Sequence, residues 1–407
     1  MDNSGWLSNT SICTWFGVRC LNGGKIPEQL RLRQNGLTGT LPAELSAITT
    51  LTVLQVFQNN LTGEIPASIY SLPNIAAVDL EDNQFSGDLF PTELFSASGT
   101  LQVYSVSKNT LSGTIPDSIS SFTLLTRLWI AENNVGGTIP NSLTELENLT
   151  SFIAYNSRLG GNIPTDIGNL RRLERLDLSM NSLAGEIPES FGSLPNLEKV
   201  YLGDNSLSGF IPELTTQPVS LLEFLASDNK FVGSIPSGYA DLPVLQNFTL
   251  ANNTLTGVIP AFNSPNLTFI DLKNNRLTGT IPESIFDSGD LRVLYLSNNV
   301  LSGTIPASYS KPPKLTDLWL NENDLTGTIP NPSPGQLQKI EEILLTFNSL
   351  REPVPDGLCQ LRLDLPVQFF ALQVDCAPRP GTDEINNECE LNVCCTGCER
   401  GRGPQDV

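Results

Sequence analysis

The fold is decided by the stretch Leu173-Glu-Arg-Leu176-Asp-Leu178-Ser-Met-Asn181-Ser-Leu183-Ala-Gly185-Glu-Ile187-Pro188. Variants of this phrase recur along nearly the whole chain, mostly 24 residues apart. Thirteen copies are marked by their glycines, which are Gly39, Gly63, Gly87, Gly113, Gly137, Gly161, Gly185, Gly209, Gly233, Gly257, Gly279, Gly303 and Gly327. A fixed period of this length predicts a stacked solenoid, in which each unit packs on its neighbours.

Each position of the phrase has a physical role. The Leu-x-Leu core alternates apolar and polar residues, which is typical of a strand with one buried face. The asparagine follows the strand where the chain turns inward, and its amide can satisfy buried backbone groups from copy to copy. The glycine permits a tight backbone path, and Ile-Pro is an apolar anchor before a residue that cannot join a ladder. The short remainder predicts a 3₁₀ segment or a turn and a half of helix on the outer side.

Two copies depart from the pattern. Ser157 replaces the asparagine in one of them, and its hydroxyl can supply only part of the hydrogen bonding of an amide. We therefore expect a local irregularity at Ser157. A fourteenth, decayed copy retains Asn348, Leu350 and the dipeptide Val354-Pro355.

These residues closely resemble the plant-type class of the leucine-rich repeat family, over about residues 28–356. The resemblance implies an α/β solenoid: a right-handed, twisted superhelix of about 14 repeats with a parallel concave sheet and a short second sheet. It also implies four regions. These are an N-terminal cysteine cap at 1–27, repeats at 28–356, a C-terminal cysteine-rich cap at 357–398 and a disordered tail at 399–407.

All eight cysteines lie outside the repeats, at Cys13, Cys20, Cys359, Cys376, Cys389, Cys394, Cys395 and Cys398. A solenoid needs caps for its two ends, and small caps are commonly stapled by disulfides in oxidising compartments. The phrase from Trp6 to Cys20 resembles the N-terminal cap of plant-type repeat ectodomains. On that resemblance we pair Cys13 with Cys20, and Cys359 with Cys376. The last four cysteines leave three pairings open.

The terminal cluster Cys389-x4-Cys394-Cys395-Thr-Gly-Cys398 resembles the one that closes secreted repeat proteins of algae such as diatoms. A zinc site is the alternative, but zinc ligands usually come as two separated pairs. We expect disulfides and no metal. Six sequons are predicted glycosylation sites: Asn9, Asn60, Asn148, Asn247, Asn252 and Asn266.

The chain carries 23 basic and 43 acidic residues, a net charge of −20, which argues against binding to nucleic acid or anionic membranes. The acidity suits a soluble extracellular surface and at most suggests a basic partner. The chain contains no stretch of 18 apolar residues, so no segment is predicted to insert into a membrane. Because the chain begins without an apolar leader, we expect a mature fragment or ectodomain at the cell surface or outside the cell. A membrane segment or kinase beyond these residues stays open.

Enzymatic chemistry has little support. Histidine is absent, which removes Ser-His and Cys-His mechanisms, and no phosphate-binding glycine phrase predicts a cofactor. Asp79, Glu81 and Asp82 share a strand face, but glycosidases need two carboxylates across a pocket, one of them desolvated. An open sheet favours a solvated acidic patch or a weak cation site. We predict a chain that is not an enzyme and has no cofactor.

Ligand binding is predicted at the variable strand positions four and two residues before each asparagine, whose side chains should be exposed. Apolar and aromatic residues gather there in two groups, Trp129, Ile153, Tyr155 and Tyr201, and Tyr295 with Trp319. Exposed Trp and Tyr are enriched at binding hot spots, although such rings also pack on one another across sheets. Arg31-Leu-Arg33 resembles the paired arginines with which some plant peptide receptors hold a ligand carboxylate.

The predicted function is therefore an extracellular recognition module that binds a peptide, protein or glycan through its concave face. The family also includes receptor ectodomains and secreted inhibitors of wall-degrading enzymes, of the polygalacturonase-inhibitor type. A structural matrix or adhesion protein is the alternative from another class. An ice-binding surface is a minor alternative, based on the hydroxyl ladder Thr278/Thr280, Ser302/Thr304 and Thr326/Thr328. Whether the chain also binds a co-receptor or forms a homo-oligomer stays open.

Overall fold

The computed structural model of the protein describes residues 13, 17–21, 26–351, 354–358, 361 and 371–374. The chain forms two compact units, Met1–Leu207 and Ser208–Val407. Within each unit a short strand, a turn and an outer segment repeat with the period of the sequence. This is the predicted leucine-rich-repeat solenoid. The sequence divided the chain differently, into two caps, a repeat region and a tail. The boundaries of those regions stay predictions.

The first unit is built on a sheet of short strands that lie side by side. Its first two strands pair antiparallel, and the following ones pair in parallel and in register, as Leu128 does with Phe152. The strands are Val18–Leu21, Ile26–Arg31, Val53–Gln55, Ala77–Asp79, Val103–Ser105, Arg127–Trp129, Ser151–Ile153, Arg175–Asp177 and Lys199–Tyr201. A slip by one residue would turn the leucines out of the core, so the repeat itself specifies this register.

The second unit repeats the arrangement. Its sheet strands are Glu223–Leu225, Asn247–Thr249, Phe269–Asp271, Val293–Tyr295, Asp317–Trp319, Glu342–Leu344 and Ala371–Gln373. They are parallel and in register, with Tyr295 opposite Trp319. The last of these strands follows the decayed copy.

A second set of short strands forms at the Leu-x-Gly-x-Ile phrase, as the family resemblance implies. They are Thr38–Gly39, Asn60–Glu64, Gln84–Ser86, Ser112–Thr114, Asn134–Gly136, Gly160–Gly161, Ser182–Glu186, Ser206–Phe210, Lys230–Gly233, Thr254–Leu255, Thr278–Gly279, Val300–Gly303, Asp324–Thr328 and Ser349–Arg351. In some copies these strands end at or before the repeat glycine, and in others they continue past it, as Ser182–Glu186 does past Gly185.

The outer segments are short helical turns, which confirms the prediction from their length. The 3₁₀ segments are Ala43–Ala47, Thr92–Ala97, Asp117–Ser121, Asn141–Glu145, Ile167–Asn169, Glu189–Ser193, Ser237–Tyr239, Glu283–Phe286 and Ala307–Ser310, and Ala67–Tyr70 is one α-helical turn. Most of them begin directly after the proline of Ile-Pro, for example Glu189–Ser193 after Pro188. Proline has a fixed φ and no N–H, so it starts a helical turn without losing a hydrogen bond.

The core is a stack of leucine layers. Leu173, Leu176, Leu178 and Leu183 of the opening stretch are all fully buried. Burying one such side chain contributes about 1.5–3 kcal/mol. The repeated layers therefore account for why the period is kept through so many copies.

The asparagines form the predicted ladder. Asn181 Nδ2 donates to the carbonyls of Ala154 and Leu178, at 2.8 and 3.0 Å. Its Oδ1 accepts from the N–H groups of Ser157 and Leu159, at 3.1 and 2.9 Å. One side chain thus satisfies backbone groups of two copies that water cannot reach. The pattern of donation and acceptance recurs at Asn59, Asn83, Asn109, Asn133, Asn253, Asn275, Asn299, Asn323 and Asn348.

The predicted irregularity at Ser157 is confirmed. The Ser157 hydroxyl is fully buried and contacts the carbonyls of Ile130 and Tyr155, at 3.3 and 3.1 Å. Next to it, Arg158 adopts a left-handed backbone with φ of 56°, in addition to Asn156 with φ of 48°. Of the other copies only the first has a second left-handed residue at this point, the glycine Gly36 with φ of 61°, so the turn at Ser157 is rearranged with a residue that carries a Cβ.

A left-handed residue precedes every ladder asparagine and its Ser157 counterpart. These residues have φ between 48° and 58° and are Gln34, Gln58, Asp82, Lys108, Glu132, Asn156, Met180, Asp204, Asp228, Asn252, Asn274, Asn298, Glu322 and Phe347. This conformation costs a residue with a Cβ about 1–2 kcal/mol, least for Asn and Asp. The stacked backbone imposes it, as where the N–H of Met180 bonds the carbonyl of Gly203 at 2.9 Å.

Glycine is required at the repeat positions for a second reason, besides the tight backbone path that the sequence predicted. Gly303 has φ of 80°, and a Cβ on it would come within 2.8 Å of Thr280 Cγ2 from the preceding copy. Gly327 stands in the same relation to Thr304. Each glycine therefore leaves room for the variable side chain of the copy before it.

Cys13 and Cys20 form the expected disulfide, with Cα atoms 5.6 Å apart, in the segment predicted to be the N-terminal cap. The N–H of Arg31 donates to the carbonyl of Gly17 at 2.7 Å, which ties the cap to the first copy. The remaining predicted disulfide cysteines, Cys359, Cys376, Cys389, Cys394, Cys395 and Cys398, lie outside the described residues, as does the sequon Asn9.

Candidate ligand-binding surface

Trp129 lies half-buried at the end of the strand Arg127–Trp129. Its Nε1 donates to Ser151 Oγ on the next strand at 2.9 Å. The Arg127 guanidinium lies over its ring, 5.8 Å from the ring centre. The indole is therefore held in one orientation and still presents part of its surface to solvent.

Ile153 does not have the exposure that the sequence predicted. It is only 6% exposed, so that expectation is wrong. Trp129 and Asp177 are its register partners on the two neighbouring strands. A ring on one side and a carboxylate on the other leave the smaller aliphatic side chain beneath the surface, where it supports the aromatic residues.

Tyr155 lies half-buried, two residues after Ile153 on the same face. Its hydroxyl donates to Glu132 Oε1 at 2.6 Å. Burial, with this carboxylate, raises the pKa of Tyr155 well above its ordinary value of 10.0. The phenol therefore stays protonated and keeps its donor bond.

Tyr201 ends the strand Lys199–Tyr201 and is half-buried. The Arg175 guanidinium lies over its ring at 5.7 Å. Asp177, its register partner, is buried and accepts from Ser179 Oγ at 2.7 Å. Trp129, Tyr155 and Tyr201 together form what is here called the aromatic patch.

The acidic residues near the patch are not simply solvated, as the sequence had suggested. Asp79 is partly buried, and burial raises its pKa above the ordinary value of 3.8. Its Oδ1 is buried with no hydrogen-bond partner among the described residues, and Oδ2 accepts from Gln55 at 3.4 Å. Glu81 pairs with Lys108 at 3.7 Å, whereas Asp82 is exposed. Ser105 is the register partner of Asp79 on the next strand. The sequence did not single out Ser105 as a neighbour of these carboxylates, because a small polar residue has no sequence signal of its own.

The second predicted group is packed on itself. Tyr295 and Trp319 stack with ring centres 4.0 Å apart, and Phe269 meets the Tyr295 edge at 5.9 Å. Trp319 Nε1 donates to Glu342 Oε2 at 2.7 Å. These contacts favour the alternative stated above, in which aromatic rings pack across the sheet.

Lys273 completes this second group. Its ammonium lies 5.1 and 5.6 Å from the Tyr295 and Trp319 ring centres and pairs with Asp271 at 3.0 Å. The charge is therefore already neutralised. Tyr295, Trp319, Lys273, Asp271 and Glu342 are named here the second cluster.

The paired arginines lie on the first parallel strand and just after it. Arg31 and Arg33 are both exposed, and Arg31 Nε donates to Gln29 Oε1 at 3.1 Å. They are accessible to a ligand, and their role stays a prediction.

The sequons differ in how free their side chains are. Asn60 is exposed on a lateral strand. Asn148, Asn252 and Asn266 each donate through Nδ2, to Thr123, Asp228 and Pro243 respectively. Asn247 lies half-buried within a sheet strand. Because a glycan is joined to Nδ2, the geometry favours Asn60 among these predicted sites.

The lateral hydroxyl ladder is partly used by the fold. Thr278 and Thr326 donate to the carbonyls of Gly257 and Gly303, both at 3.2 Å. The second column packs its methyl groups on the repeat glycines, as Thr280 does on Gly303. Structural roles thus explain both columns.

The described residues contain neither a metal-binding cluster nor a helix that could cross a membrane. They contain no cluster of three or more acidic or cysteine side chains arranged to hold a metal. None of the helices in that part of the chain has the length and hydropathy that crossing a bilayer requires.

Sequence comparison places the repeats in a known family. Leucine-rich-repeat family models match residues 265–325 and 172–194. The two matched segments are leucine-rich repeats, and the same phrase recurs along the chain on either side of them. The comparison with curated protein sequences gives no match.

Solved structures of this family share the fold. The plant peptide hormone receptor RGFR1, solved in complex with RGF2, is 33% identical with a TM-score of 0.77, covering 88% of this chain and 61% of that one. A TDR receptor is 30% identical with a TM-score of 0.73, covering 85% and 63%. The ectodomain of the Arabidopsis receptor kinase HAESA, in complex with an extended IDA peptide hormone, is 26% identical with a TM-score of 0.66, covering 89% and 73%. The chain spans less than two thirds of the first two.

Proposed function

We propose that this leucine-rich repeat chain is a non-enzymatic, extracellular ligand-binding module that holds an extended peptide against the aromatic patch. The observation that carries the proposal is the state of Trp129, Tyr155 and Tyr201. Each is half-buried and held by a neighbour, yet keeps part of its ring surface in solvent. Rigid aromatic residues bind with little loss of rotamer entropy.

The dimensions of the patch suit a short peptide segment. Trp129 and Tyr201 lie three strands apart. With strands about 4.8 Å apart, this distance is roughly 14 Å, or about four residues of extended chain. Two of the similar structures, the peptide hormone receptor RGFR1 with RGF2 and the HAESA ectodomain with an IDA peptide hormone, support the same class of ligand here.

The test is a random dodecapeptide library displayed on phage and panned on the whole chain. Selected peptides should lose affinity for the Trp129→Ala/Tyr201→Ala variant by about 30-fold or more, which corresponds to about 2 kcal/mol. Both residues lie on the sheet surface, so the far-UV circular dichroism spectrum and the urea midpoint check that the variant is folded.

The matched control is the double variant Tyr295→Ala/Trp319→Ala in the second cluster. It removes as many rings from the same strand position and should leave peptide affinity unchanged. Unchanged affinity of the Trp129→Ala/Tyr201→Ala variant would refute the proposal and favour the matrix or adhesion alternative. If only the Tyr295→Ala/Trp319→Ala variant lost peptide affinity, the binding site would lie in the second cluster instead.

A further inference from the structure

Arg127 and Arg175 lie on one face of the sheet in a chain with 23 basic and 43 acidic residues. Neither guanidinium forms an ion pair within 4.0 Å or donates a hydrogen bond among the described residues. By contrast, Lys108, Lys273, Lys311 and Lys314 each pair with a carboxylate. None of the ion pairs of the described residues involves an arginine, so what sets these two apart is their stacking on aromatic rings and the buried, unpartnered Nε of Arg175.

The two arginines occupy the same position of their strands. Arg127 is the register partner of Ser151, and Ser151 is the register partner of Arg175. The two strands are therefore two spacings apart, about 10 Å. Ser151 Oγ accepts from Trp129 Nε1, which leaves its own proton as a donor between the two arginines.

The carboxylates that attract the two arginines do not form ion pairs with them within 4.0 Å. Asp177 attracts Arg175 at longer range, but its Oδ1 accepts from the hydroxyl and the N–H of Ser179 at 2.7 and 3.3 Å. Asp79 attracts Arg127 in the same way, and its Oδ2 faces Gln55. Arg175 Nε is buried with no hydrogen-bond partner among the described residues. A buried unpaired donor costs free energy, which a bound acceptor would recover.

Stacking on aromatic rings holds both guanidinium groups in place to donate hydrogen bonds to a ligand. Arg127 lies over Trp129 and Arg175 over Tyr201, so the guanidinium planes are already positioned. Guanidinium groups are weakly hydrated and match planar oxyanions with parallel donor bonds. The corresponding strand positions in the second unit hold no basic residue and are Glu223, Asn247, Phe269, Val293, Asp317 and Glu342.

We propose that Arg127, Ser151 and Arg175 form a subsite for an oxyanion of the ligand, at the edge of the aromatic patch. The group is a carboxylate, a sulfate ester or a phosphate ester, which share this donor requirement. The assignment deepens the proposed function, because it places an acidic residue of the peptide beside Trp129. The anion site itself can be tested without any peptide.

The first experiment uses small anions on the whole chain. Sodium sulfate, sodium phosphate and sodium glutarate are titrated at constant ionic strength while the arginine Nε–Hε resonances are followed by NMR. We expect saturable shifts at Arg127 and Arg175, and none with sodium chloride. The anion with the lowest dissociation constant distinguishes carboxylate from sulfate or phosphate. Shifts that are linear, or equal at surface arginines, would overturn the subsite.

The second experiment compares charge-matched variants. Arg127→Gln/Arg175→Gln should weaken the best small anion by about tenfold or more, since charge-assisted bonds to two donors are lost. Arg171→Gln/Arg172→Gln removes the same charge from the outer side, where Arg172 contacts Asn148. This control should change affinity less than about twofold, because solvent and salt screen distant charges. Equal losses in both variants would show non-specific attraction and refute the site.

The two proposals fail in different ways. If peptides selected on the chain bind equally well when their acidic residues are replaced by amides, the oxyanion subsite is wrong and the peptide function stands. If small anions bind at Arg127 and Arg175 but the chain selects no peptide, the peptide function is wrong and the anion site stands.

Discussion

The aromatic patch of residues 1–207 and the second cluster of residues 208–407 are built from the same strand positions but satisfy their polar groups differently. In the second cluster, Lys273 lies over the stacked Tyr295 and Trp319 rings and is neutralised by Asp271. In the patch, the arginines that stack on Trp129 and Tyr201 form no ion pair within the part of the chain that the structure describes. The two groups therefore differ in whether the cation that lies over the rings is paired with a carboxylate.

This difference shows that exposed aromatic residues alone do not mark a binding surface. A stack of rings with its cation and carboxylate already present gains little from a ligand. Buried donors and acceptors without partners, such as Arg175 Nε and Asp79 Oδ1, are the better indicator, because a ligand can satisfy them. The following predictions test this distinction, beginning with the largest effect.

The largest effect is expected on stability in the second cluster. Tyr295→Ala/Trp319→Ala should lower the free energy of unfolding by about 3 kcal/mol. Ring stacking contributes about 1 kcal/mol, the cation–π contacts of Lys273 about 0.5–1, and the bond to the Glu342 carboxylate about 1.5. Urea unfolding followed by circular dichroism measures the loss. A loss below about 1 kcal/mol would mean that the cluster is not self-stabilising and would make it a binding candidate again.

A smaller effect is expected on the pH dependence of stability. Asp79 has a folded pKa above its ordinary value of 3.8, because burial disfavours the charged form. Between those two values the folded state binds more protons, so this residue's contribution to stability falls as pH rises. Asp79→Asn should therefore gain stability relative to the wild type on going from about pH 3 to about pH 7 in urea unfolding.

Asp290 in the second unit provides the control of opposite sign. Its pKa lies below 3.8, because Lys314 bonds and attracts the carboxylate. Its contribution is present above the ordinary pKa and is lost as pH falls, so Asp290→Asn should lose stability relative to the wild type as pH rises. If the two variants changed in the same direction, the carboxylates would not differ as described.

The smallest effect concerns the left-handed column. In the second unit Asn252, Asn274 and Asn298 occupy it and are joined by side-chain bonds of 2.5 and 2.9 Å. In the first unit Met180 has the same backbone and is 52% exposed. Met180→Asn should raise the free energy of unfolding by about 0.5–1 kcal/mol, because asparagine tolerates this conformation.

Met180→Leu is the matched control for that variant, since it keeps an apolar side chain in the same strained backbone. It should be neutral in urea unfolding. If Met180→Leu and Met180→Asn gave the same midpoint, the left-handed strain would not be limiting at this position.

The strands, the outer 3₁₀ turns and the asparagine ladder were predictable because they depend on residues that repeat. Even the irregularity at Ser157 followed from counting the hydrogen bonds that a hydroxyl can make. The burial of Ile153 was not predictable from its position, since it depends on the ring of Trp129 and the carboxylate of Asp177 on neighbouring strands. Arg127 and Arg175 were also missed, because their position had been left out of the binding face.

The sequence by itself determined the architecture of this protein, because a repeated phrase places the same apolar, amide and glycine groups at the same points of every copy. Only the tertiary structure decided which variable residues are free to act. Side chains 24 residues apart in sequence become neighbours across the sheet, as Ser151 and Arg175 do. Whether a ring or a cation there is satisfied or available depends on those lateral neighbours, which no single copy contains.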